Sequence, residues 1–174
     1  MNGFPETRPA TGGAIGTQPA PILVLGLGNL LLSDDGIGPA VLEQLAGSSS
    51  TLWPAEVEFV DGGTQGLALL GQFTGRRAVI IVDALQTGTA PGTVHRLTLN
   101  ELREVSPGRA NSGHERNAGE LLGAAQLLGE LPDRLFVVGV EPEKISTGFG
   151  LSDAVKQAIP AVIDQVICLL SQLC

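Results

Sequence analysis

The sequence predicts an α/β protein, a three-layer α/β/α sandwich with helices on both faces of a mostly parallel five-stranded sheet. Three observations carry that reading. Residues 22–25 and 78–82 are unbroken apolar runs of leucine and β-branched residues, as in strands covered on both faces. Segments with apolar residues at helical spacing alternate with the strand candidates. And three strand candidates close on carboxylates: Asp35 just after the first, Asp61 after the second and Asp83 after the third.

Taken in order, residues 1–19 are rich in Gly, Pro, Thr and Ala with no apolar centre, which predicts a mobile tail rather than a signal peptide. Residues 20–174 then form one α/β domain. The first strand runs into Gly26-Leu27-Gly28, where the backbone turns, and Asp34-Asp35 stand where a helix begins. Pro39 fits the first turn of that helix, Val41, Leu42 and Leu45 give it an apolar face, and Gly47 closes it. Residues 57–60 form a second strand, and Leu67, Leu69, Leu70 and Phe73 a short helix. Arg76-Arg77, before the third strand, reads as a solvated face, and Trp53 as packing over the second strand. Residues 92–99 alternate polar and apolar, which predicts a fourth strand near a sheet edge, with His95 as an edge side chain.

A polar loop over residues 100–113 follows. His114 opens a helix carrying Leu121, Leu122, Ala125 and Leu128, with Ser112 as its cap and Gly129 at its end. Residues 135–140 form a fifth strand ending at Glu141-Pro142, then a second mobile loop reaches Gly150. Ser152 caps a long amphipathic final helix.

Ten Lys and Arg against 18 Asp and Glu leave a net charge of −8, and aromatics are 3% of the chain. That balance excludes the basic grooves and aromatic platforms of nucleic-acid binding. No apolar run approaches about eighteen residues, which predicts no membrane span. Cys168 and Cys174 point in different directions on the final helix and make neither a disulfide nor a metal pair. A cytoplasmic location is the simplest reading.

In an open parallel sheet the strand ends that carry Asp35, Asp61 and Asp83 lie on one edge, where ligands bind. His114, at the start of the helix entering from the long loop, can overhang that edge. Two carboxylates and an imidazole form an O,O,N donor set suited to a divalent transition metal. The competing reading is dinucleotide binding, but Leu31 replaces the third glycine and the helix starts several residues late. The chain has no H-E-x-x-H or G-x-S-x-G motif, which argues against a standard zinc protease or serine hydrolase.

The run Leu25-Gly26-Leu27-Gly28-Asn29-Leu30-Leu31-Leu32-Ser33-Asp34-Asp35-Gly36-Ile37-Gly38 resembles the opening motif of the nickel–iron hydrogenase maturation proteases. Asp61-Gly62-Gly63-Thr64, Val82-Asp83-Ala84, Pro91-Gly92-Thr93, Ser112-Gly113-His114, Gly139-Val140-Glu141-Pro142 and Gly150-Leu151-Ser152 are similar to its later signatures, in order. The stretch after His114 is more polar than the family's, and Asp153 stands where the family often has proline. The resemblance implies a cytoplasmic endopeptidase that removes a C-terminal extension from the hydrogenase large-subunit precursor once nickel is in place. It makes Asp35, Asp83 and His114 the ligands that meet the nickel, which the precursor contributes, and it implies no organic cofactor. Asp61 matches a further acidic position and is the candidate for activating water. A non-catalytic nickel-binding or chaperone module for the same precursor is the alternative from another class.

Overall fold

The first apolar run forms β1 (Ile22–Leu27), with all six residues buried. The computed structural model of the protein describes residues 19–47, 53–105 and 116–174. The predicted tail thus falls almost wholly outside the described residues, as do Ser112 and His114. After β1 come a 3₁₀ turn (Ser33–Gly36), α1 (Ile37–Gly47), β2 (Val57–Gly63), a 3₁₀ segment (Gly66–Gln72) and β3 (Ala78–Ala84). Next are β4 (Val94–Thr98), α2 (Leu99–Val105), α3 (Arg116–Leu128), β5 (Arg134–Val140) and α4 (Asp153–Leu173).

The five strands lie in the order β2-β1-β3-β5-β4. All neighbours are parallel except β4, which pairs antiparallel with β5 at the edge, where its half-buried alternation belongs. Because side chains alternate across a strand, the central strands supply two cores. Ile22, Val24, Ile80, Val82 and Val138 pack toward α1 and α4. Leu23, Leu25, Val79, Ile81 and Val137 pack toward Leu69, Phe73, Leu121 and Leu122 on the other face. α4 is 21 residues long and, by length and composition, apolar enough to cross a membrane. Its apolar residues recur at helical spacing, though, and Val155, Ile159, Val162, Val166 and Leu169 are buried in the first core. Trp53 packs against Phe59 of β2 as predicted, with ring centroids 5.2 Å apart.

Three expectations are corrected. Residues 100–105 of the predicted polar loop are helical, together with Leu99 from the end of the predicted strand, and a capping box starts them. Glu101 Oε2 accepts from Thr98 N at 2.7 Å and Thr98 Oγ1 accepts from Glu101 N at 3.4 Å. That Thr-x-x-Glu signal was present in the sequence. The short helix expected after β2 forms as a 3₁₀ helix, and it buries Leu69 while Leu67 stays exposed. Arg76 is buried rather than solvated: it forms an ion pair with Glu58 at 2.6 Å and donates to the carbonyls of Gln72 and Ala20. The segment after β5, expected to be mobile, is fastened to Asp34 by backbone hydrogen bonds.

Two glycines fix the site against the sheet. A Cβ on Gly38, at the start of α1, would lie 2.1 Å from Leu27 O and 2.6 Å from Val82 O, so only glycine lets α1 touch both β1 and β3. Gly28 has φ +126°, and a Cβ there would lie 1.8 Å from Asp35 O. The turn after β1 is therefore folded back onto itself, with Asp35 above Gly28.

Candidate functional site

Asp34, Asp35 and Asp83 are all buried at the carboxyl edge of the sheet, where β1 and β3 end. Asp34 and Asp35 are adjacent in sequence but have different work. Asp34 reaches across to the segment after β5. Its Oδ2 accepts from Glu143 N at 2.9 Å and Lys144 N at 3.0 Å, and its Oδ1 from Ser152 N at 2.6 Å. Burial pushes this carboxyl up, but the amides of Ser152, Lys144 and Glu143 and the Ser152 hydroxyl outweigh it and hold it below its ordinary value. Asp34 is thus a clasp that is ionised at neutral pH.

Asp35 Oδ2 accepts from Asn29 N at 2.8 Å, which closes the turn after β1 and sets the carboxylate at the strand end. Asp83 is the last carboxylate of the most apolar strand. Burial, and next the charge on Asp35, push its pKa up to about 8, against one lowering contact from Ala84 N at 2.9 Å. Two buried carboxyls that repel one another form a site that gains from a cation, because a divalent metal removes both the repulsion and the desolvation penalty at once.

Asp61 lies on the same edge but apart. It pairs with Gly26 of β1, which pairs in turn with Val82 of β3. Two strand spacings place its backbone roughly 10 Å from that of β3. Its side chain is exposed, with Oδ1 accepting from Gly63 N at 2.9 Å. The structure therefore brings Asp35 and Asp83 together and leaves Asp61 across β1. His114 lies outside the described residues, just before α3, whose Leu121, Leu122 and Ala125 pack on the sheet face that also buries Val79 and Ile81. By alternation Asp83 follows those two residues, on the side from which α3 approaches. Among the described residues no group of three His, Cys, Asp or Glu side chains is arranged to hold a metal ion.

Two features escaped the sequence reading. Asp34 was seen only as one of a pair at a helix start, because its partners lie 109 to 118 residues away. Glu141 at the end of β5 is buried, and its Oε2 accepts from the backbone N–H groups of Thr87, Gly88 and Thr89 and from the hydroxyls of Thr87 and Thr89. These bonds outweigh the burial that raises it and hold its pKa below the ordinary value. Glu141 thereby fixes the loop that leaves Asp83, and His95 Nε2 lies 2.9 Å from the Thr89 hydroxyl in the same cluster, more enclosed than an edge side chain in water.

The dinucleotide reading fails on this geometry. The space above Gly28, where a pyrophosphate would approach the backbone, is filled by the carbonyl of Asp35, and α1 begins only at Ile37. A concavity around Ala20, Val57, Glu58 and Arg76 lies at the opposite, amino-terminal edge and touches none of these carboxylates.

Residues 39–168 match the family profile described as hydrogenase maturation protease. The chain is 37% identical over 152 residues to the Hydrogenase 2 maturation protease of Escherichia coli (strain K12), covering 87% of this chain and 91% of that one. It is 32% identical to the hydrogenase expression/formation protein HupD of Thiocapsa roseopersicina, over 87% of this chain and 68% of that protein. Among solved structures it resembles the hydrogenase maturating endopeptidase HybD from E. coli, with a TM-score of 0.77 at 37% identity, covering 87% of this chain and 92% of that chain.

Proposed function

The chain belongs to the hydrogenase maturation protease family, and we propose that it reads the nickel of its substrate through Asp35, Asp83 and His114. It is an endopeptidase that removes the C-terminal extension from the large-subunit precursor of a nickel–iron hydrogenase. In this reading nickel arrives with the precursor and the reaction runs in the cytoplasm. The observation that carries the reading is the pair Asp35–Asp83, two buried carboxyls whose mutual repulsion a cation relieves.

In the free protein Asp83 holds a proton at neutral pH, which lowers the cost of burying two acids together. Engaging nickel requires the carboxylate, so binding releases that proton. A precursor lacking nickel brings no cation to take the place of the Asp83 proton, gains nothing at the acid pair and binds weakly, which makes the pair a checkpoint. Asp61 is exposed and lies across β1 from the metal-reading pair, on the same edge of the sheet. In this reading its carboxylate takes the proton from the attacking water.

Two substitutions separate these roles. His114→Ala should abolish processing of nickel-loaded precursor with an unchanged thermal midpoint. Asp61→Asn should leave precursor binding intact and slow cleavage of the bound precursor by roughly 10²- to 10⁴-fold, the usual worth of a general base. Normal processing by His114→Ala would remove the assigned donor set. The non-catalytic alternative predicts tight binding of precursor with no peptide released by the wild-type protein.

A further inference from the structure

Three large apolar side chains stand in solvent at the edge that carries Asp35 and Asp83. Leu30 is 56% exposed, Leu31 52% and Phe149 87%. The leucines sit in the turn between β1 and Asp35, and Phe149 in the segment after β5. Backbone bonds stitch these segments together: Gly148 N donates to Leu31 O at 2.9 Å and Ser33 N to Gly148 O at 3.0 Å, around a parallel bridge between Leu32 and Gly148. Asn29 ties the leucines to the acid, because its Oδ1 accepts from Leu31 N at 2.9 Å while its own N–H donates to Asp35 Oδ2 at 2.8 Å.

The arrangement is also strained. Ser33 has φ +54°, the only positive φ among described non-glycine residues, and it is buried with its hydroxyl donating to Ser146 O at 3.1 Å. Backbone strain of this kind persists only where surrounding bonds over-determine it, and it gathers at functional sites. Leucines and a phenylalanine held in water on two segments bonded to each other around a strained residue mark an interaction surface.

We propose that Leu30, Leu31 and Phe149 form an apolar grip for the C-terminal segment of the precursor, holding apolar side chains next to the bond to be cut. The inference rests on the endopeptidase reading above and deepens it. Continuity identifies the occupant: the grip and Asp35 share one turn, so a peptide whose nickel meets Asp35 and Asp83 runs alongside these three residues. The metal-reading pair then senses nickel while the apolar rim senses the chain, and both must be satisfied for productive binding.

The test compares wild-type protein, the double variant Leu31→Ser/Phe149→Ser, and Leu127→Ser as control, on purified nickel-loaded precursor. Leu127 is 89% exposed on α3, near the helix end that leads into the start of β5 and so toward the opposite sheet edge. The double variant should raise KM about tenfold or more, as expected for losing buried apolar contacts, with the loss absent from kcat and the thermal midpoint unchanged. The control should keep wild-type KM. An unchanged KM in the double variant, or an equal rise in Leu127→Ser, overturns the grip. So does a change in the sedimentation of the double variant alone, which would make the patch a contact between copies. Failure of the wild-type protein to cleave at all is a different result: it removes the endopeptidase reading and the grip with it.

Discussion

Replacing Asp83 by asparagine is expected to stop processing and at the same time stabilise the fold. Asparagine keeps the shape and the oxygen that accepts from Ala84 N, but removes a group whose pKa is pushed from 3.8 up to about 8 by burial and by Asp35. Below pH 3.8 the folded and unfolded chains both hold the proton and the group has no effect on stability. Between 3.8 and about 8 the unfolded chain gives up a proton that the folded chain keeps, so stability falls as pH rises. At pH 7 the accumulated cost is on the order of 4 kcal/mol. Thermal midpoints of the two proteins should converge near pH 4 and separate toward pH 8, the asparagine variant melting higher. Activity should move the other way, down by more than about a hundredfold, because even outer partners of metal ligands are worth 10- to 100-fold. In the wild-type protein, kcat/KM should climb about tenfold per pH unit below about 8 and level off above it, as the free protein's Asp83 ionises. A variant that is both more stable and fully active would show that Asp83 takes no part in the reaction.

Asp34→Ala should be the most damaging single substitution for stability in this edge of the molecule. Asp34 is fully buried, and its carboxylate serves three backbone N–H groups, those of Glu143, Lys144 and Ser152. Alanine leaves all three without an acceptor, a loss of roughly 3–5 kcal/mol. Asparagine should be little better, since its NH₂ group would face the amides that now donate to Oδ2. Ser152 is also the cap of α4, accepting from Val155 N at 3.4 Å, so the clasp holds the entry to that helix. The same bonds govern acid sensitivity. A carboxyl whose pKa lies below its ordinary value contributes stability above pH 3.8 and loses it as pH falls through the lowered value. Denaturant titrations at pH 7 and pH 3 measure this directly: the gap between wild type and Asp34→Ala should shrink at the acid end. Equal stability of the two proteins at pH 7 would show that the clasp contributes nothing.

These two aspartates show what a sequence carries and what it hides. The central strands were legible because burial on both faces leaves continuous apolar runs, and β4 because an edge strand alternates. Asp83 was legible as a carboxylate ending such a run, where hydrophobic pattern and ligand chemistry meet. Asp34 and Asp35 are chemically identical neighbours, and nothing local says that one clasps a segment more than a hundred residues away while the other faces Asp83. Arg76 was misread for the same reason: its partners Glu58 and Ala20 belong to other elements, and the charge alone suggests water. Helix α2 is a different case. Its capping box, Thr98 with Glu101, was local and readable, but the polar composition around it obscured the signal.

In the function proposed above, this endopeptidase acts on the precursor only after its acid pair has met nickel. The most direct test is the intact mass of a hydrogenase large-subunit precursor after incubation with the protein, with nickel loaded and without. Loss of a C-terminal peptide from the nickel-loaded form alone is the predicted result. Equal loss from both forms would contradict the checkpoint, and no loss from either, with a cognate precursor, would contradict the activity.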